Sequence, residues 1–281
     1  MSLPLSTDTP NTWCPGCSNF CILAAFRQVL EKLVAEESLA LHNVVIASGI
    51  GCHGKITDYL ALNSFTALHG RLVPVMSGIK CANPALTVIG FSGDGDAYSE
   101  GLEHLLHAAR RNSDITLFVH NNEVFALTAG QATAASPKGF KNKASPGGSP
   151  EAPINAPCTM LGAGASFVAR SYASDIALTA TIMARAIRHR GFSFVEILQP
   201  CITFSDTRRE RAEKIYRLDQ SALCDVLSSA IERAEGADGR VPLGIFYDIE
   251  KPTFEDDLGL VTQASPQLKS RPRPRRAEAR R

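Results

Sequence analysis

Two sets of residues in this chain have types and spacings suited to chemistry. The first is built of thiols. Cys14 and Cys17 form a C-x-x-C around a Pro15-Gly16 turn, and Cys21 follows one helical turn later. Such a turn lets two thiolates point at one metal. Cys52, in SGIGCHGK, and Cys201, in LQPC, each follow an apolar run that reads as a buried strand. Two thiolates from the turn and one from each loop make four, the number a [4Fe–4S] cluster takes. A four-cysteine zinc site uses the same ligands, and count alone does not separate the two. A thioredoxin-like dithiol would want a strand before its C-x-x-C, and none is evident. Cys21, Cys81, Cys158 and Cys224 lie in helix-like apolar contexts and read as packing residues.

The second set is built of hard oxygen ligands. The strand-like run LTVIGFS enters GDGD, residues 93–96. Gly93 and Gly95 permit a tight turn and close backbone approach to a ligand. Asp94 then stands at the carboxyl end of a strand, where open α/β sheets bind ligands. A further helix and strand, residues 96–120, lead to Asn121-Asn122. That separation is one βαβ unit, so Asn122 is expected beside Asp94. A carboxylate and an amide oxygen suit Mg²⁺ that also takes phosphate oxygens and water. Gly-Asp-Gly alone is an ordinary turn; its weight comes from the Asn-Asn pair that follows.

The elements that must position these residues are legible as periodicity. SNFCILAAFRQVLEKLVAEE, 18–37, has apolar residues at helical spacing, with Ser18 or Asn19 as N-cap. Strand-like runs are NVVIAS (43–48), LTVIGFS (86–92), ITLFVH (115–120), SFVAR (166–170), FSFVEIL (192–198) and LGIFYD (243–248). They are apolar on both faces, as parallel strands covered by helices are. Helix-like stretches at 98–111 and 174–190 lie between them. The alternation predicts an α/β fold with a doubly wound, mostly parallel sheet. Residues 129–157, rich in Gly, Pro, Ser and Ala, are too long for an idle connection and read as a functional or partner-covered loop. One domain is expected over 1–255. A basic, Pro/Arg-rich stretch over 256–281 is expected to be a disordered tail.

Bulk properties exclude several classes. A net charge of +1 argues against a general nucleic-acid or membrane surface. No apolar run reaches the ~18 residues of a membrane-spanning helix. The opening MSLPLSTDTP lacks the charged and apolar regions of a signal peptide, so the expected compartment is the cytoplasm. Eight cysteines there are candidates for metal or redox chemistry rather than structural disulfides.

Taken together, WCPGCSNF, SGIGCHGK, LHGRLVPVMSGIKCANP, TVIGFSGDGDAYSEGLEHLLHAARRN, VHNNEVFALTAGQ and EILQPCITF resemble, in the same order, the β subunit of the 2-oxoacid:ferredoxin oxidoreductases. These are the pyruvate and 2-oxoglutarate synthases. The likeness runs from Trp13 to about Phe204 and continues more weakly through GIFYDIEKPTFED. It implies a thiamine diphosphate-binding fold holding thiamine diphosphate, Mg²⁺ and one [4Fe–4S] cluster. By that resemblance Asp94, Asn122 and the carbonyl of Val124 hold Mg²⁺. Cys14, Cys17, Cys52 and Cys201 hold the cluster. The cofactor is expected against Cys52, His53, His69, Gly70, Gly93, Gly95, Asp96, Leu127 and Thr128. Lys55, with His53, is expected to meet the substrate carboxylate, and Leu127 to line the thiazolium side.

The implied reaction is coenzyme A-dependent oxidative decarboxylation of a 2-oxoacid, 2-oxoglutarate or pyruvate, to acyl-CoA and CO₂, with electrons passing through the cluster to ferredoxin. The glutamate that thiamine enzymes place at the aminopyrimidine is not assignable to Glu100, Glu103 or Glu123. In the family it comes from an α subunit, so the active site is expected at a subunit interface. The family's Asn-x-x-Tyr-Gly-Leu-Thr reads Asn-Glu-Val-Phe-Ala-Leu-Thr here. Ala126 would strain a backbone with φ > 0, so the loop either has no such need or shifts. A non-redox thiamine-dependent decarboxylase would use GDG and Asn-Asn but has no use for four converging cysteines. A zinc module has no use for GDG and Asn-Asn.

Overall fold

A computed structural model describes residues 3–219 and 224–261. Its strands in chain order are β1 (Val44–Ser48), β2 (Asn63–Thr66), β3 (Thr87–Gly93), β4 (Thr116–Asn121), β5 (Val124–Phe125), β6 (Gln131–Ala132), β7 (Phe167–Tyr172), β8 (Ser193–Leu198), β9 (Ile215–Arg217) and β10 (Val241–Asp248). The α-helices are α1 (Asn19–Ala35), α2 (Leu72–Ala82), α3 (Leu102–Arg111), α4 (Ala156–Gly162), α5 (Ile176–Arg188), α6 (Arg208–Lys214), α7 (Leu227–Glu235) and α8 (Phe254–Asp257).

Eight strands form one sheet in the order β2-β1-β3-β4-β8-β7-β10-β9. From β2 to β7 every pairing is parallel. The sheet is therefore doubly wound, as the alternation predicts. β10 runs antiparallel to β7, with a bulge between Ile245 and Tyr247, and β9 is parallel to β10. LGIFYD is therefore an antiparallel strand, a direction that its apolar run does not encode.

Two apolar layers bury the sheet. Phe26, Leu30 and Leu33 of α1 and Ile182 and Met183 of α5 pack with Phe91 and Phe118 on one face. Met76, Leu105, Met160 and Ala230, from α2, α3, α4 and α7, pack with Leu117 and Phe194 on the other. β4, β7 and β8 are buried along almost their whole length, which is why they read as unbroken apolar runs.

Several elements depart from the periodicity reading. The helix expected over 98–111 is two pieces, a π-turn at Gly95–Ser99 and then α3. α2 is not legible because Pro74 interrupts its pattern; proline is tolerated there, in the first turn. Edge strand β2, NSFT, is exposed throughout and has no apolar signal. Ser18 occupies the N-cap of α1 but its side chain caps nothing. The loop expected over 129–157 is irregular apart from β6 and ends in α4, whose N-cap Asn155 accepts from the Cys158 amide. Cys224 lies in an irregular stretch before α7, buried, rather than in a helix. The boundary expected at 255 falls inside α8, where Glu255 is buried and accepts from the Asp114 amide. Most of the basic stretch, 262–281, lies outside the described residues. No described helix is long and apolar enough to cross a membrane.

Candidate functional site

Every sequence-predicted residue lies at the carboxyl rim of the parallel strands or in a loop leaving it. Asp94 directly follows β3 and is 1% exposed. Its Oδ1 accepts the Asn122 amide at 3.2 Å and its Oδ2 accepts the Thr133 hydroxyl at 2.5 Å. Burial pushes its carboxyl up to about 7, against the pull of those hydrogen bonds. Among the described residues it has no cationic partner. A buried carboxylate with an open cavity in front of it and no counter-charge is suited to a bound cation.

The Asn122 loop is shaped from behind. Asn122 Oδ1 accepts the Val124 amide at 3.1 Å, and its Nδ2 donates to Gln199 Oε1 at 3.3 Å. Glu123 adopts φ 64°, so the chain reverses at once. Asn121 Oδ1 accepts the Glu123 amide, and Asn121 Nδ2 donates to the buried Glu196 at 2.9 Å. Glu196 also accepts Tyr98 Oη at 3.2 Å and pairs with Arg170 at 2.6 Å. Tyr98 belongs to the π-turn after Asp94, so one carboxylate on β8 holds both halves of the oxygen-ligand motif. Glu123 pairs with Arg211 of α6.

Asp96 points the other way. It accepts Ser92 Oγ at 2.5 Å, the Gly70 amide at 2.8 Å and the Ile50 amide at 3.3 Å, with His69 Nδ1 at 3.1 Å. It is thus a strut joining the loops after β1, β2 and β3. The glycines around it are spatially required. A Cβ on Gly95 would meet the Phe125 ring at 2.4 Å, and one on Gly93 would meet His53 Nδ1 at 2.7 Å. His53 is buried and burial lowers its pKa to about 4; His120 behind it is driven down by burial too. His53 is therefore neutral and adds no positive charge for a substrate carboxylate, contrary to expectation. Ala126 is not among the positive-φ residues, so replacing the family glycine strains nothing.

One cavity, about 80 Å³, is lined by Asp94, Gly95, Asp96, Asn122, Val124 and Thr128, together with Gly93, Cys52, His53, His69 and Leu127. Gly70 is not in its wall and acts through its amide on Asp96. A second cavity, about 230 Å³, is lined by all four predicted cysteines, Cys14, Cys17, Cys52 and Cys201, with Trp13, Lys55 and Gln199. Cys52, Asn122, Ala126 and Leu127 line both, so the two cavities share a wall.

The thiols are held by loops. Cys17 N–H donates to the Cys14 carbonyl at 3.0 Å across the turn, with Gly16 at φ 82°. Trp13 Nε1 holds the Cys52 carbonyl at 2.6 Å. Gln199 Nε2 donates to Cys17 Sγ at 3.6 Å and Thr203 Oγ1 to Cys14 Sγ at 3.7 Å. Burial raises the Cys52 thiol to about 11; Lys55 opposes this, and the neighbouring sulfurs of Cys17, Cys201 and Cys14 add to it. Among the described residues no three His, Cys, Asp or Glu side chains converge as ligands of a single ion. The four sulfurs surround a space rather than a point, a geometry suited to a polynuclear group. Lys55 faces this second cavity, and its Nζ donates to the Thr12 carbonyl at 3.3 Å.

Sequence reasoning missed Thr133, Glu196, Gln199 and Trp13. Trp13 and Gln199 flank predicted cysteines in WCPGC and LQPC, a signal available but unused. Thr133 and Glu196 gave none.

The comparisons agree with this geometry. A family model for the thiamine pyrophosphate enzyme C-terminal TPP binding domain matches residues 49–197. One for the C-terminal part of the pyruvate ferredoxin oxidoreductase β subunit matches 201–263. The 2-oxoacid:ferredoxin oxidoreductase subunit β of Saccharolobus solfataricus is 39% identical over 255 residues, covering 85% of this chain and 82% of that protein. The 2-oxoglutarate synthase subunit KorB of Archaeoglobus fulgidus is 37% identical over 222 residues, covering 77% and 81%. A solved 2-oxoglutarate:ferredoxin oxidoreductase from Magnetococcus marinus, with 2-oxoglutarate, coenzyme A and succinyl-CoA bound, aligns with TM-score 0.87 and 31% identity over 92% of this chain and 88% of that one. A thiamine pyrophosphate-binding domain carrying its rim ligands in this order, and continuous with an oxidoreductase C-terminal segment, places the chain in the family of 2-oxoacid:ferredoxin oxidoreductase β subunits.

Proposed function

We propose that this β subunit binds the diphosphate of thiamine diphosphate through Mg²⁺ in the first cavity and a [4Fe–4S] cluster in the second. The observation that carries this reading is the shared wall: a buried carboxylate without a counter-ion lies one side chain away from a ring of four thiols. When bound, thiamine diphosphate supplies an electron sink for loss of CO₂ from a 2-oxoacid, Mg²⁺ the charge that grips its diphosphate, and the cluster a one-electron acceptor. Asp94, Asn122 and the Val124 carbonyl hold the cation. Gly93 and Gly95 let the backbone approach the diphosphate, Asp96 with Gly70 and His69 keeps the loops registered, and Leu127 and Thr128 line the ring side. Cys14, Cys17, Cys52 and Cys201 hold the cluster. Lys55, at the rim between the cavities, receives the substrate carboxylate, and neutral His53 forms the floor.

The first cavity is small and no glutamate lines it among the described residues. Both facts support a site completed by an α subunit, which brings the glutamate and covers the rest of the cofactor. Coenzyme A takes the acyl group and ferredoxin the electrons, in the cytoplasm, with 2-oxoglutarate the favoured substrate and pyruvate next. Residues 1–255 act as one domain, with the basic C-terminal stretch as a tail. The four thiols disfavour a non-redox decarboxylase. The test is the visible spectrum and the iron, sulfide and zinc content of the anaerobically purified αβ complex, with coenzyme A-dependent dye reduction over a panel of 2-oxoacids. A broad band near 400 nm, of the kind thiolate-bound iron–sulfur clusters give, with dye reduction supports the reading. Stoichiometric zinc without that band overturns it.

A further inference from the structure

Gln199 touches both cavities at once. It is 2% exposed and lies just beyond β8, where its backbone N–H donates to the Asn121 carbonyl at 2.8 Å, which fixes its position. Its Oε1 accepts from Asn122 Nδ2 at 3.3 Å. Its Nε2 donates to Cys17 Sγ at 3.6 Å and to Ser18 Oγ at 3.3 Å. That last contact also explains why Ser18 does not cap α1. Two amides are therefore aligned head to tail, running from an oxygen on the cation side to a sulfur on the thiol side.

We infer that Gln199 is a positioning residue that couples the two cavities, raising the reduction potential of the cluster when the cation and diphosphate are bound. The inference rests on the proposed occupants. A cation drawn to Asn122 Oδ1 polarises the Asn122 amide, so Nδ2 donates more strongly to Gln199. Gln199 Nε2 then donates more strongly to the Cys17 sulfur, because aligned hydrogen bonds reinforce one another. Donors to ligand sulfurs raise a cluster's potential. Binding linkage makes the effect reciprocal: reduction of the cluster tightens the cation. An empty thiamine site would then hold the cluster at the lower potential, and loading it would prepare the acceptor for the electrons that follow.

The test is an EPR-monitored redox titration of the αβ complex with and without Mg²⁺ and thiamine diphosphate. Wild-type protein is compared with Gln199→Met, which keeps the volume and removes both hydrogen bonds, and with Gln199→Glu, which keeps only the acceptor. We expect loading to raise the wild-type midpoint and Gln199→Met to remove most of that rise. We also expect the variant's reduced-to-oxidised ratio at fixed potential to fall about tenfold, which is about 59 mV for one electron. A wild-type midpoint indifferent to loading overturns the coupling even where both variants lose their cluster. So does a Gln199→Met midpoint that rises as in wild type, since the cation's own field would then be the cause. Absence of iron and sulfide from wild-type protein would instead sink the occupancy on which the inference rests.

Discussion

The two cavities share a wall yet are built by opposite means. Asp94, Asn121, Tyr98 and Glu196 lie at strand ends or one turn beyond them. They are buried, and each polar atom that shapes the loop already has a partner. The cysteines ride on a turn, a 3₁₀ segment and a returning loop. Cys14 is exposed, Cys17, Cys52 and Cys201 are half-buried, and Gln199 and Thr203 are the donors that reach their sulfurs. The oxygen site is preorganised by the sheet, so its ligand meets a formed cradle. The thiol site depends on the group it holds to close loops that the sheet does not close, and metal binding there is also folding energy.

The strongest way to break this contrast is to remove one ligand from each side. Cys52→Ser is expected to abolish 2-oxoacid-dependent dye reduction and the visible band, while thiamine diphosphate still binds by calorimetry. Asp94→Asn is expected to weaken Mg²⁺-dependent thiamine diphosphate binding at least ~100-fold, the worth of two or more charge-assisted contacts. The cluster should remain. Its apo-protein should melt no lower than wild type, because the substitution deletes a buried carboxylate that has no cationic partner. A lower melting temperature would mean that Asp94 is structural rather than held ready for a cation.

Removing whole groups sharpens the same contrast. Amide hydrogen exchange after anaerobic iron chelation is expected to rise in residues 12–18 and 201–206, the cysteine-bearing segments. Removing Mg²⁺ and thiamine diphosphate should leave 94–98 and 121–124 protected, since Glu196 and Asp94 still hold them. Equal loosening of both regions would erase the distinction.

The same difference decides how far the site could be read from sequence. The apolar runs of β3, β4 and β8, and the one-unit spacing from GDG to Asn-Asn, record a parallel sheet and its rim. They lead directly to Asp94 and Asn122. The converging cysteines are legible because each follows a strand or flanks a turn. What stays hidden is lateral. Glu196 lies within FSFVEIL, where an acidic residue in a buried strand has meaning only once Asn121, Tyr98 and Arg170 are seen around it. Thr133 reaches Asp94 from a loop with no periodicity at all. The antiparallel direction of β10 and the π-turn after Asp94 are set by packing, and local residue preference leaves no trace of either.

A smaller perturbation tests the cradle without touching a ligand. Thr133→Val deletes the 2.5 Å hydroxyl contact to Asp94 Oδ2 and keeps the shape. Its loss should cost about 1.5 kcal/mol in cation binding, or about tenfold in the Mg²⁺ needed for half-saturation, as expected for one hydrogen bond to a charged group. The maximal rate at saturating Mg²⁺ should be unchanged.

The finest probe is Tyr98→Phe, which removes one neutral–charged hydrogen bond to Glu196 and leaves the Glu196–Arg170 pair intact. Tyr98 does not contact the cation site, and its ring stays packed near Phe194. If the strand-end cradle is stiff because Glu196 holds both of its halves, freeing the π-turn should let Asp94 drift relative to Asn122. The Mg²⁺ half-saturation should then rise about two- to fivefold, within the ~0.5–1 kcal/mol of one such bond. The cluster spectrum and midpoint should not move, because the Gln199 link to Cys17 runs through β8 and not through the π-turn. A Tyr98→Phe protein with unaltered Mg²⁺ dependence would show that Asn121 alone positions the loop. One whose cluster spectrum changed would show that the shared wall transmits strain, and that the two cavities are a single deformable unit.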